Sequence, residues 1–72
     1  MSKPSAEPIR AAVLAAVPPG VRVARGAILR AVARRLGAEP GDRGLRIRVA
    51  RAVRTLEREG ILVDVGPEVL RR

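Results

Sequence analysis

Three stretches of helical period, each closed by glycine or proline, then two short apolar runs split by Gly66-Pro67, predict an α+β domain that is mainly α. The expected architecture is three helices, a short strand after the first, and a two-stranded hairpin at the C-terminal end. The 72 residues admit one domain, and a domain this small buries only about 60% of the surface its unfolded chain exposes. A single domain over residues 8–72 is expected, preceded by a flexible tail over residues 1–7.

The first helix is expected from about Ser5 to Val17. Ile9, Val13, Ala16 and Val17 recur at i, i+4, i+7 and i+8 and share one face; Ser5 is a candidate N-cap, and Pro8 falls in the tolerant first turn. Pro18-Pro19-Gly20 ends it, and Val21-Arg22-Val23 alternates as a very short strand or an extended connector does. The helical period returns from Ala24 or Arg25 to Leu36, with Ile28, Leu29, Val32 and Leu36 as the core stripe and Arg30, Arg34 and Arg35 away from it. Gly37 suits the left-handed position that closes a helix, and Ala38-Glu39-Pro40-Gly41 is a turn. Asp42 is the candidate N-cap of a third helix running from about Arg43 to Glu59. At 100° per residue its Leu45, Val49, Ala52, Val53 and Leu56 fall within a sector of roughly 100°, opposite Ile47, Arg51, Arg54 and Arg58. Gly60 stops this helix; Ile61 to Val65 and Val69 to Arg72 are the two strands of the hairpin.

The residue types that do not occur narrow the chemistry. With no His and no Cys there is no imidazole base, thiol nucleophile, zinc or haem ligand set, or disulfide. Asp42, Glu57 and Glu59 have nothing nearby to bury them, which suits caps and solubility better than acid–base work. An enzyme is not expected, nor is a metal or other cofactor, and no small-molecule effector is evident. No run of residues approaches the 18 or so apolar positions of a membrane span, and the start lacks a signal peptide's basic end and apolar core. A cytoplasmic protein without a membrane partner is expected, nucleoid-associated in a prokaryote.

Fifteen Lys and Arg against seven Asp and Glu give a formal charge of +8. That charge is +1 over residues 1–20, +5 over 21–37, +2 over 38–60 and 0 over 61–72. Within the third helix Arg43, Arg46, Arg48, Arg51 and Arg54 follow one another with no acid between them, and Glu57 and Glu59 come only near its C-terminal end. A purely solvated helix face more often intersperses Glu at i±4 to form ion pairs. An anionic partner is therefore expected, nucleic acid ahead of a membrane surface. All but one of the cations are arginine, a bias that a GC-rich coding sequence or a designed origin also produces.

The order helix, short strand, helix, tight turn, helix, hairpin resembles the winged helix-turn-helix family over residues 8–72. The resemblance is densest from Arg48-Val49-Ala50-Arg51 through Leu56-Glu57-Arg58-Glu59-Gly60-Ile61-Leu62, which is similar to the recognition helix of bacterial and archaeal regulators and its joint into the wing. It implies that the third helix enters the major groove of duplex DNA with its N-terminal part. On that basis Arg43, Arg46, Arg51 and Arg54 are candidate base readers, since a guanidinium pairs with guanine O6 and N7, and Ile47 and Ala50 suit a thymine methyl. Arg22, Arg25, Arg30, Arg34, Arg48 and Arg58 are candidate phosphate contacts. The chain has no Asn or Gln, so the usual bidentate reading of adenine is absent and guanine should dominate the directly read positions.

Two departures from the family pattern carry expectations of their own. The wing tip, Asp64-Val65-Gly66-Pro67-Glu68, is short and acidic, so the wing is expected to be structural, with only Arg71 or Arg72 near phosphate. The second helix lacks a Ser or Thr start, which leaves Arg25 and the backbone amides of residues 24–26 for a phosphate. The function expected is that of a small duplex-DNA binder, natural or engineered, acting by occupying a site. The alternatives are an RNA-binding or ribosome-associated winged helix, and a protein-interaction module using the arginine face or an exposed Ile47. Single-stranded RNA readers usually stack bases on aromatics, and this chain has none. A monomer is expected, a dimer being the alternative.

Overall fold

A computed structural model describes residues 7–72, which form α1 (Glu7–Ala16), β1 (Arg22–Ala24), α2 (Arg25–Leu36), α3 (Arg43–Arg58), β2 (Leu62–Val65) and β3 (Glu68–Arg71). The expected N-cap Ser5 and residues 1–6 of the expected 1–7 tail lie outside the described residues, and Glu7, the last residue of that tail, is the first of α1. The result is a small, mainly helical α+β fold in which α1 packs on both α2 and α3 and a three-stranded antiparallel sheet closes one side.

Helix ends follow from local chemistry. The Asp42 carboxylate accepts from the amide of Gly44 at 2.9 Å and so satisfies one of the orphan donors at the start of α3. Gly37 adopts φ 66° and closes α2, with the amide of Ala38 returning to the carbonyl of Ala33 at 2.8 Å. Gly60, at φ 82°, ends α3 in the same manner, the amide of Ile61 reaching Leu56 O at 3.0 Å. A side chain at either glycine would force an L-residue into the left-handed region.

The sheet has the order β1-β3-β2. The last strand is therefore its centre, with Val23 opposite Val69 on one side and Asp64 opposite Val69 on the other. Just before β1 the chain is already tied to β3, since Gly20 N donates to Arg71 O at 2.8 Å and Arg71 N to Val21 O at 3.3 Å. The short alternation around Arg22 thus resolves to a strand, because β3 supplies the partner that three residues cannot supply for themselves.

The core is wholly aliphatic. Ile9, Ala12, Val13 and Val17 of the first helical segment meet Ile28, Val32 and Ala33 of α2, Leu45, Val49, Val53 and Leu56 of α3, and Leu62 and Val69 of the hairpin. Among the described residues no polar or charged side chain is buried. Four expected positions differ, since Leu29 and Ala52 are, like Ala16, only half-buried against the cluster. Leu36, placed in the α2 stripe by its spacing, is 40% exposed, and Ala33 is buried in its place. Leu36 falls at the last residue of α2, where the helix is turning away under Gly37, while Ala33 sits one turn earlier against the core. In α1 the buried small residue is Ala12, with Ala16 only half-buried against the cluster. Among the described residues no helix is long and apolar enough to cross a membrane.

These positions predict opposite outcomes for one type of substitution. Leu56→Ala, at a fully buried side chain, should lower the unfolding free energy by about 2–5 kcal/mol. Leu36→Ala should change it by no more than about 0.5 kcal/mol. Urea denaturation of both variants checks the assignment.

Candidate nucleic-acid interface

The outer face of α3 presents Arg43, Arg46, Ile47, Ala50, Arg51 and Arg54, all exposed, as is Arg58 one turn beyond. The cause is the core stripe: Leu45, Val49, Val53 and Leu56 fix the inward side of the helix, and everything opposite must face solvent. Arg43, Arg46, Ile47 and Ala50 together line a shallow depression of about 430 Å³. Ile47 is 46% exposed, the most exposed of the large apolar side chains among the described residues.

Arg46, Ala50 and Arg54, at i, i+4 and i+8, also border a second, larger groove of about 680 Å³ between α3, the start of α2 and the hairpin turn. Its floor is apolar, made of Leu29, Val49 and Val53. Its hairpin end holds Arg25, Glu57, Asp64 and Gly66. Arg51 and Arg58 line neither depression and stand on the solvent side of α3. Arg48 lies on the other flank, about 160° round the helix from Ala50, with its guanidinium folded back over Gly44. On the same flank Glu59 pairs with Arg10 of α1 at 2.8 Å.

Arginines of the other elements are spread more widely. On α2, Arg30 and Arg34 are exposed, and the guanidinium of Arg30 folds back towards the first turn, where Nη1 stands 3.5 Å from the place a Cβ on Gly26 would take. Arg22 is exposed on β1, an edge strand. Arg25 does not offer an unoccupied guanidinium to a phosphate. Its Nη2 donates to Asp64 Oδ1 at 2.7 Å and to Glu57 Oε2 at 3.1 Å, and its Nε donates to Gly66 O at 3.0 Å. Its backbone amide is engaged as well, donating to Pro67 O at 3.1 Å, so the hairpin turn caps a helix whose N-cap residue, Ala24, offers no side-chain acceptor.

Arg71 likewise turns inward. Nη1 donates to the carbonyls of Leu14 and Val17 at 3.1 and 3.3 Å, so it caps the C-terminal end of α1 from a strand more than fifty residues away, where phosphate had been expected. Neither Glu57 nor Glu59 is merely a solubilising carboxylate, since each is paired across elements. None of these partners is visible in local spacing. The one local signal is the Asp64-Val65-Gly66 segment, whose carboxylate accepts from the Gly66 amide at 2.9 Å in an Asx turn.

The assignment of carboxylates decides the electrostatics. Asp42 caps α3, Glu57 and Asp64 hold Arg25, and Glu59 holds Arg10. Among the described residues, Arg43, Arg46, Arg48, Arg51, Arg54 and Arg58 have no ion-pair partner. The titration behaviour agrees. Asp64 is held below the ordinary carboxylate value by the Gly66 amide first and by Arg25 second, and Glu59 is lowered chiefly by its hydrogen bond from Arg10. At Arg25, burial opposes the charged form, but the hydrogen bonds and charges of Asp64 and Glu57 outweigh it and raise the pKa.

A depressed carboxylate pKa in the folded state contributes stability that is present above the ordinary carboxylate range, roughly pH 4–5, and lost as pH falls through the folded value. The melting-temperature difference between the native chain and Asp64→Asn should therefore be largest near neutral pH and shrink on acidification below about pH 4. A difference independent of pH, in a series of thermal melts, would contradict the pairing.

Comparison with protein-family models, with curated proteins and with solved structures finds no match to this chain.

Proposed function

We propose that the chain is a non-enzymatic duplex-DNA-binding protein of winged helix-turn-helix type that places α3 in the major groove. The observation that carries this reading is that six α3 arginines, five on the outer face and Arg48 on the α1 flank, have no ion-pair partner among the described residues, on a helix whose inner side is locked into the core. Six unpaired guanidinium groups on one 16-residue helix repel one another, and that cost is offset when phosphates or guanine edges take their place beside them.

The element order supports the winged-helix reading, with β3 between β1 and β2 and the hairpin turn resting on the start of α2. In it, Arg43, Arg46, Arg51 and Arg54 read guanine edges, and Ile47 and Ala50 meet thymine methyl groups in the shallow depression they share. Arg22, Arg30, Arg34 and Arg58 take phosphates. Arg48, on the α1 flank, takes a phosphate of the strand opposite the groove. A protein so built acts by occupying its site.

About five phosphate contacts give a log–log dependence of affinity on salt with slope roughly −4 to −5. Fluorescence anisotropy on labelled duplex across a salt series measures it, and an affinity indifferent to salt would falsify the reading. Duplex RNA in competition with the DNA separates the two nucleic acids.

Within the interface, Arg51→Ala and Arg54→Ala should each cost about 1–3 kcal/mol on a site selected from a random duplex library and relax preference at one base pair. Arg34→Ala should weaken binding about equally on all sequences. Equal losses on selected and random duplex for all three variants would remove α3 from the role of reader.

A further inference from the structure

We propose that Glu57 and Asp64 limit non-sequence-specific binding by withholding Arg25 from phosphate, so that the hairpin turn stays off the DNA backbone. The inference rests on the duplex-DNA reading and extends it to residues outside the basic face of α3.

The groove beside α3 is electrically divided along its length. Arg46 and Arg54 stand along the α3 side, and Arg25 stands at the hairpin end between two carboxylates. One guanidinium against two carboxylates leaves that end with a net charge of −1, one helical turn from Arg54. The Asp64 side chain is 64% exposed and that of Glu57 21%, so the outer carboxylate faces whatever approaches the groove. A phosphate nearing the hairpin turn meets like charge there and finds the donors of Arg25 already directed to Asp64, Glu57 and the Gly66 carbonyl.

Carboxylate and phosphate present a guanidinium with the same kind of acceptor. Glu57 and Asp64 therefore occupy Arg25 in the way a DNA backbone would. The benefit lies in discrimination. A chain of charge +8 binds any duplex through the number of phosphates it neutralises. Selectivity is a difference between affinities and is gained by unfavourable contacts as well as favourable ones. Removing one cation from the count and adding an anion at the groove's end weakens every indiscriminate complex while leaving the base readers on α3 untouched.

Asp64→Asn tests the proposal in the full chain, because an amide oxygen can still accept from Arg25 and from the Gly66 amide while the charge is lost. On a random-sequence duplex this variant should bind about fivefold more tightly at low salt, with a log–log salt slope steeper by about 0.9, one added phosphate contact. Arg25→Gln should then cost more affinity in the Asp64→Asn background than in the native one, since only there does a single carboxylate, Glu57, compete with phosphate for Arg25.

Unchanged or weaker binding by a folded Asp64→Asn overturns the proposal, and so does an equal cost of Arg25→Gln in both backgrounds. Thermal melting establishes that the variants are folded, and Glu57→Gln is measured in the same way if Asp64→Asn does not fold. Native protein that binds no duplex removes the DNA reading and this inference with it. Native protein that binds, with Asp64→Asn binding no better, removes this inference alone.

Discussion

The start of α2 has no cap of its own, and the way that deficit is met organises the rest of the molecule. Ala24 offers no acceptor, so the amide of Arg25 reaches across to the carbonyl of Pro67 in the hairpin turn, while the guanidinium of the same residue holds Gly66, Asp64 and Glu57. One residue thereby fixes the hairpin against two helices. Since β1 runs directly into Arg25, the same attachment brings β1 alongside β3 and completes the sheet. Ion pairs as exposed as these contribute little to stability. Their consequence is orientation, because without them the turn would be joined to the helices only through the backbone bond and the apolar side of the hairpin.

That apolar side also matters, for the core contains no aromatic side chain. Thirteen aliphatic residues, six of them valine or isoleucine outside α3 and the rest leucine, alanine and the valines of α3, close the interior from all elements except β1. Branched side chains have few rotamers to lose and pack well against a pleated surface. Leu62 and Val69, both almost fully buried, give the hairpin its share of this core. Arg71, next along β3 but one, uses the opposite chemistry and caps the last carbonyls of α1. The hairpin is thus a structural member bonded to α1, α2 and α3, which fits its short, acid-bearing turn.

Charge is distributed by the same economy of partners. Each carboxylate that caps or bridges is one fewer available to the outer side of α3. The acids that do pair sit at the joints of the fold: the start of α3, the contact of α1 with the end of α3, and the seat of the hairpin turn. The unpaired arginines collect where no joint exists. The proposed function draws on that division, since a surface with its own counter-charges in place gains little from exchanging them for phosphates.

The course of the helices, and the helix ends at Asp42, Gly37 and Gly60, are legible in the sequence alone, because they depend on neighbours within one or two turns. The spacing of Leu45, Val49, Val53 and Leu56 sets the inner face of α3 and hence the outward direction of Arg43, Arg46, Ile47, Ala50, Arg51 and Arg54. Asp42, Gly37 and Gly60 act through hydrogen bonds a few residues long. Only the tertiary structure decided that β3 lies between the other strands, that Ala33 and not Leu36 enters the core, and that Arg25 and Arg71 are held inside the chain. The partners of Arg25 are 32 to 41 residues away and those of Arg71 are 54 and 57. Every exposed arginine has the same local signature, and what separates a guanidinium left on the surface from a structural clamp is which carboxylate or carbonyl the fold brings beside it.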